Sequence, residues 1–134
     1  MPIPWTDDFS VNVKEIDDQH KKFLGMLNSL YIILHKAEYG SELKEILQEL
    51  KAYKEFHFAT EEKYFAMFNY ELTEEHKEEH QKLSLKVEEF ISRFNNGDED
   101  ILFDLLNFLE DWLVIHLNNQ DKKYTKCFND HGLF

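Results

Sequence analysis

Residues 55–65 read "EFHFATEEKYF", in which Phe56, Phe58, Tyr64 and Phe65 surround a histidine and, one helical turn later, a pair of glutamates. Traced upstream, the segment keeps an apolar stripe at helical spacing through Leu43, Ile46, Leu50 and Tyr53. His57 and Glu61 fall on that same stripe before Tyr64 and Phe68 resume it. A helix with ionisable groups on its inward stripe must bury them, so this stretch predicts a core helix and a polar centre in the protein interior.

The rest of the chain has the same character. Its 134 residues suit one domain, and its two prolines both lie in the first four residues, which leaves helices uninterrupted. Three more stripes appear: His20, Leu24, Leu27, Tyr31, Leu34; His76, His80, Leu83, Val87, Phe90, Phe94; and Ile101, Leu105, Phe108, Trp112, His116. Turn signals separate them at "EYGS" (38–41), near Asn69 and at "NNGD" (95–98). The expectation is an all-α protein, an up-and-down four-helix bundle with an N-terminal arm and a short C-terminal helix. Residues 1–134 read as one domain, with the arm over about 1–16, the bundle over about 17–118 and the last helix over about 120–131.

The histidines also share a depth. Counting back from the turns at about 1.5 Å per residue, His20 and His57 lie roughly 19 and 17 residues from the first turn. His76, His80 and His116 lie roughly 21, 17 and 19 residues from the last. All four helices therefore bring their polar stripe residues to one level near one end of the bundle.

Fifteen basic residues against 27 acidic ones give a net charge of −12, which disfavours nucleic acid and anionic membranes as partners. Cys127 is the sole cysteine, so no intramolecular disulfide forms. With no charged-then-apolar leader and no long uncharged apolar run, a cytoplasmic protein is expected.

A buried carboxylate needs a counter-charge, and the four stripes carry no lysine or arginine to neutralise Glu61. A metal cation answers that need, and imidazole ligands select a transition metal over calcium or magnesium. Five histidines with carboxylates exceed the four ligands of a structural zinc site, which implies two metals. His57 and Glu61, like His76 and His80, are four apart and so about 40° apart around the axis, close enough for each pair to face one centre. Glu62 points elsewhere and reads as a solvated surface glutamate. Asp121 is the candidate second carboxylate, since it opens the final apolar spacing of Tyr124 and Phe128. It lies five residues after His116, about 140° away on a regular α-helix, so a π-type bulge or a break is expected at "LNNQ" between them.

The ordered set resembles the hemerythrins, non-haem di-iron oxygen-binding proteins, and in particular their bacterial single-domain type. The resemblance spans nearly the whole chain. It rests on the arm with Trp5, "IDDQHKKF" with His20, "HFATEE" with His57 and Glu61, "HKEEH" with His76 and His80, and "WLVIHLNNQD" with His116 and Asp121. It implies two irons: one held by His76, His80 and His116, the other by His20 and His57, with Glu61, Asp121 and an oxo or hydroxo group bridging. It further implies reversible binding of molecular oxygen at an open position of the second iron, for storage, transport or delivery to an oxygen-consuming protein, and no enzymatic activity. Phe23, Leu24, Phe58, Trp112 and Leu113 stand beside these positions and are expected to make a dry oxygen pocket. Two departures from the bacterial type are Phe65, where methionine is common, and Glu71, where a proline often follows the tyrosine equivalent to Tyr70.

The alternative at the same centre is oxygen or nitric oxide sensing, or peroxide handling, with a di-iron oxidase ranked lower. Ferritin-like oxidases draw Glu-x-x-His from two helices, and this sequence contains no such motif. "HKEEH" also matches the HxxEH of inverted zinc peptidases, with Glu79 as general base, but that reading leaves His20, His57 and His116 without a role. His35 and His131 are expected at the surface, and Cys127 as a half-buried packing residue.

Overall fold

The computed structural model describes residues 3–134, and within 113–120 it describes the backbone but not the side chains of 117–120. The expected stripes form the expected helices: α1 (Lys14–Ile33), α2 (Gly40–Phe68), α3 (Thr73–Asn95) and α4 (Ile101–Trp112), with a short α5 (Thr125–Asp130). No strand occurs among the described residues. α1 packs on α2, α2 on α3, α3 on α4 and α4 on α1, which closes the up-and-down four-helix bundle.

Local chemistry sets the helix ends. The arm docks on α1 because Asp17, in the first turn, accepts hydrogen bonds from Val11 N at 2.8 Å and Ser10 Oγ at 2.5 Å. α1 begins at Lys14, so the last residues of the expected arm are already helical. α2 stops at Asn69, which takes the left-handed conformation (φ 52°, ψ 51°) that asparagine tolerates better than most residues. The turn into α4 uses Gly97 at φ 76°. Arg93 of α3 reaches across that turn to Asp98 and Asp104, each at 2.6 Å.

The core falls into two clusters. The larger fills the bundle around Phe23, Leu27, Leu30, Leu50, Leu83, Leu102 and Leu105. The smaller closes one end with Val11, Val13, Ile16, Phe65, Tyr70, Tyr124 and Phe128. Full burial of each such Leu or Phe contributes roughly 1.5–3 kcal/mol. The five histidines of the stripes, Glu61 and Asp121 are all buried, in a polar layer that neither apolar cluster includes. The stretch "EFHFATEEKYF" divides along its helix: Phe58, Glu61 and Phe65 point inward and Phe56 is 65% exposed. The sequence stripe ran through Tyr64, but the fully buried residue is its neighbour Phe65, because the end-closing cluster packs on that flank of α2.

Candidate metal centre

Four helical segments deliver the site. α1 supplies His20, α2 supplies His57 and Glu61, and α3 supplies His76 and His80. The last segment departs from α-helix: Leu113–Gln120 is π-helical and runs into a 3₁₀ turn at Asp121–Tyr124. The wider π turn places residues five apart on nearly one face, so His116 and Asp121 both face the centre. The irregularity expected at residues 117–120 is present, and it starts earlier, at Leu113.

The side chains converge in two groups. One ligand atom from each of His76, His80 and His116 lies within 4.8 Å of the others, and the same holds for His20, His57, Glu61 and Asp121. The carboxylates link the groups. Glu61 Oε1 lies 3.1 Å from His57 Nε2, 3.0 Å from His80 Nε2 and 3.5 Å from His76 Nε2. Asp121 Oδ2 lies 3.0 Å from His20 Nε2, and its Oδ1 lies 2.9 Å from His76 Nε2 and 3.9 Å from His116 Nε2.

Among these approaches only His80 Nε2 to Glu61 Oε1 has hydrogen-bond geometry. His20 Nε2, His76 Nε2, His116 Nε2, Glu61 Oε2 and both oxygens of Asp121 are buried without a partner of hydrogen-bond geometry. Buried polar atoms left unpaired in this number are strongly unfavourable in a protein that only has to fold. Nitrogen and carboxylate donors aimed at common points fit transition-metal cations, and their imidazole-rich set suits iron. The cluster is able to hold metal.

The charges of the cluster act on one another. Burial disfavours a charged ring at His57, but Glu61 and Asp121 outweigh it and push its pKa up to about 9. His76 follows the same pattern and reaches about 10. Burial dominates at His116, which falls to about 4. Glu61 and Asp121 stay well below the usual carboxylate range, since the surrounding histidines overcome their burial.

Outer contacts fix the rings. His57 Nδ1 donates to Gln19 Oε1 at 2.6 Å, Gln19 Nε2 donates to Thr60 Oγ1 at 3.2 Å, and Thr60 donates to the Phe56 carbonyl at 2.9 Å. His80 Nδ1 lies 2.9 Å from Glu62 Oε2. Glu62 is therefore not the solvated surface residue that its place off the α2 stripe suggested. Its flank of α2 faces α3, where the outer edge of the His80 ring emerges. Gln19, Glu62 and Glu79 lie off the apolar stripes, and adjacency to His20, Glu61 and His80 was their only sequence signal. Glu79 Oε2 stands 3.8 Å from His116 Nδ1, on the outer side of that ring, which does not suit a peptidase base aimed at the metal.

The five expected pocket residues are all buried in the larger core cluster. Phe58 stacks on His80 and Trp112 on His116, each with ring centroids 3.7 Å apart. His35 and His131 are exposed and Cys127 is half-buried, as expected. No helix among the described residues is long and apolar enough to cross a membrane.

Fold and site together define a four-helix-bundle metalloprotein with a buried histidine–carboxylate centre. Residues 11–127 match the family described as the hemerythrin HHE cation binding domain. A bacteriohemerythrin of Clostridium acetobutylicum is 33% identical over 124 residues, covering 90% of this chain and 96% of that protein. One of Methylococcus capsulatus is 32% identical over 131 residues, covering 95% and 97%. A crystal structure of wild-type hemerythrin superposes with a TM-score of 0.86 at 33% identity, covering 95% of this chain and 98% of that one. The chain belongs to the hemerythrin family, whose members are non-haem di-iron, oxygen-binding proteins and are generally not enzymes.

Proposed function

We propose that this protein binds two iron ions and uses them to bind oxygen reversibly, as a store or carrier and not as an enzyme. In this reading His76, His80 and His116 hold one ion, His20 and His57 hold the other, and Glu61 and Asp121 bridge them. The observation that carries it is the placement of both carboxylates: each approaches a histidine of both groups at 2.9–3.1 Å. Iron bound there supplies the redox chemistry that oxygen binding requires.

The chain's own residues supply the surroundings. Among the described residues His20 and His57 are the two histidines on their side, so that side has fewer imidazole donors than the other and is where an exchangeable ligand fits. Phe23, Leu24 and Leu113, with Phe58 and Trp112 stacked on His80 and His116, give the centre apolar surroundings, which in this reading protect a bound oxygen from protonation and loss. Arm, bundle and C-terminal helix act as one domain, because the end-closing cluster draws Val11, Phe65 and Phe128 from all three.

Anaerobic reconstitution with ferrous iron, metal analysis and optical titration with oxygen test this reading. About two irons per chain and a ligand-to-iron absorption band that fades on deoxygenation support it. A single bound zinc with no optical response to oxygen overturns it.

A further inference from the structure

The two sides of the centre differ in what stands behind their histidines. On one, His57 Nδ1 meets the neutral amide oxygen of Gln19 at 2.6 Å, and His20 Nδ1 is buried without a partner. On the other, His80 Nδ1 meets the carboxylate of Glu62 at 2.9 Å. An amide oxygen fixes the tautomer of a ring. A carboxylate fixes the tautomer and also draws the outer proton, making the inner nitrogen a stronger donor.

Besides Glu61 Oε1, which lies 3.0 Å from its inner nitrogen Nε2, two contacts from outside the centre hold the His80 ring. Phe58 stacks on its face with the rings 10° from parallel, and Glu62 takes its outer edge. The stack restrains the ring plane but leaves its rotation within that plane to the edge contact. Glu62 is part-exposed, at 35% of its side chain, while His80 is 4% exposed, so the pair joins the buried centre to the surface.

We propose that Glu62 is a positioning residue for His80, and that its charge makes the three-histidine side the stronger electron donor and the preferred seat of the more highly charged ion. This rests on the reading of His80 as a metal ligand. Glu62 holds Nδ1–H outward, so the Nε2 lone pair faces the centre. Its negative charge stabilises ferric over ferrous iron on that side.

The test compares wild type, Glu62→Gln and Glu62→Ala in two measurements: cobalt(II) affinity by chelator competition, and the reduction potential of the iron-loaded protein by spectroelectrochemical titration. Glu62→Ala is expected to weaken one cobalt site about 10- to 100-fold. Glu62→Gln, which can still accept the Nδ1–H bond, restores most of that affinity. Both variants raise the potential, because both lack the charge. Wild-type affinity and potential in Glu62→Ala overturn the proposal, as does a glutamine variant no better than alanine in affinity or equal to wild type in potential. Thermal melts of the metal-free variants separate folding defects from ligand positioning. If wild type itself takes up no cobalt, the metal reading fails. If wild type takes up two and Glu62→Ala is indifferent, only this inference fails.

Discussion

His116 and Asp121, five residues apart on one segment, hold His116 Nε2 and Asp121 Oδ1 3.9 Å from each other inside the bundle. A regular α-helix would set residues at that spacing about 140° apart, and the π turn from Leu113 to Gln120 removes the difference. Deleting Asn118 should let the segment rewind as α-helix and bring the aspartate four residues after His116, with its approach to the centre changed. Helical content by circular dichroism is expected to hold while iron per chain falls well below wild type. Wild-type iron content in the deletion variant would show that the π turn is not needed.

Glu61 is fully buried and meets three histidines. Glu61→Ala should lose most bound iron, since it removes a carboxylate shared by both groups. In the metal-free protein the same change leaves the raised His57 with one counter-charge fewer and should destabilise by roughly 3 kcal/mol. Metal analysis and urea titration read the two effects separately. Full iron retention would remove Glu61 from the ligand set.

Proton release should accompany metal loading. In the metal-free protein His57 sits at about 9 and His76 at about 10, so near neutral pH both rings are charged, whereas a metal-bound imidazole must be neutral on its ligating nitrogen. Loading near neutral pH should expel about two protons per chain, and the number should fall toward zero as the pH passes those values. Calorimetry in buffers of different ionisation enthalpy measures the count. Absence of any release would show these rings neutral or uninvolved.

The same raised values fix the sign of the pH dependence of the metal-free fold. A histidine raised in the folded state adds stability that is fully present below its ordinary 6.5 and lost as the pH rises through about 9 and 10. Glu61 and Asp121 are lowered, so their contribution is present above the ordinary carboxylate values and lost in acid below them. His116, lowered to about 4, opposes folding as the pH falls below 6.5. Urea midpoints of the metal-free protein should therefore decline from mildly acidic pH toward alkaline pH, while the loaded protein declines less. A flat metal-free profile contradicts this.

Phe65 is fully buried between Tyr70, His76, Tyr124 and Phe128, with ring centroids 4.9–5.8 Å away. Phe65→Ala should cost about 3–5 kcal/mol and loosen His76. Phe65→Met, a flexible replacement of nearer volume, should cost less than about 1.5 kcal/mol. Denaturant unfolding gives both values. Equal losses would mean that the site collapses around neither side chain.

The helices, their order and the seven candidate ligands were legible in the sequence, because helical period and rise convert position into face and depth. His20, His57, His76, His80 and His116 could be set on inward stripes and at one level by counting alone. Residues whose roles depend on a neighbouring helix could not. Glu62 lies one position off its own stripe, about 100° around α2 from Glu61, and nothing local shows that the outer edge of His80 emerges there. Gln19 is hidden in the same way behind His57. Phe65 displaces Tyr64 from the core because the arm and α5 close on that flank. Periodicity reports a helix's preference for burial, which is a property of one segment. Which flank meets which partner, and so which side chain stands behind a candidate ligand, is set by contacts between segments, and only the tertiary structure decided it.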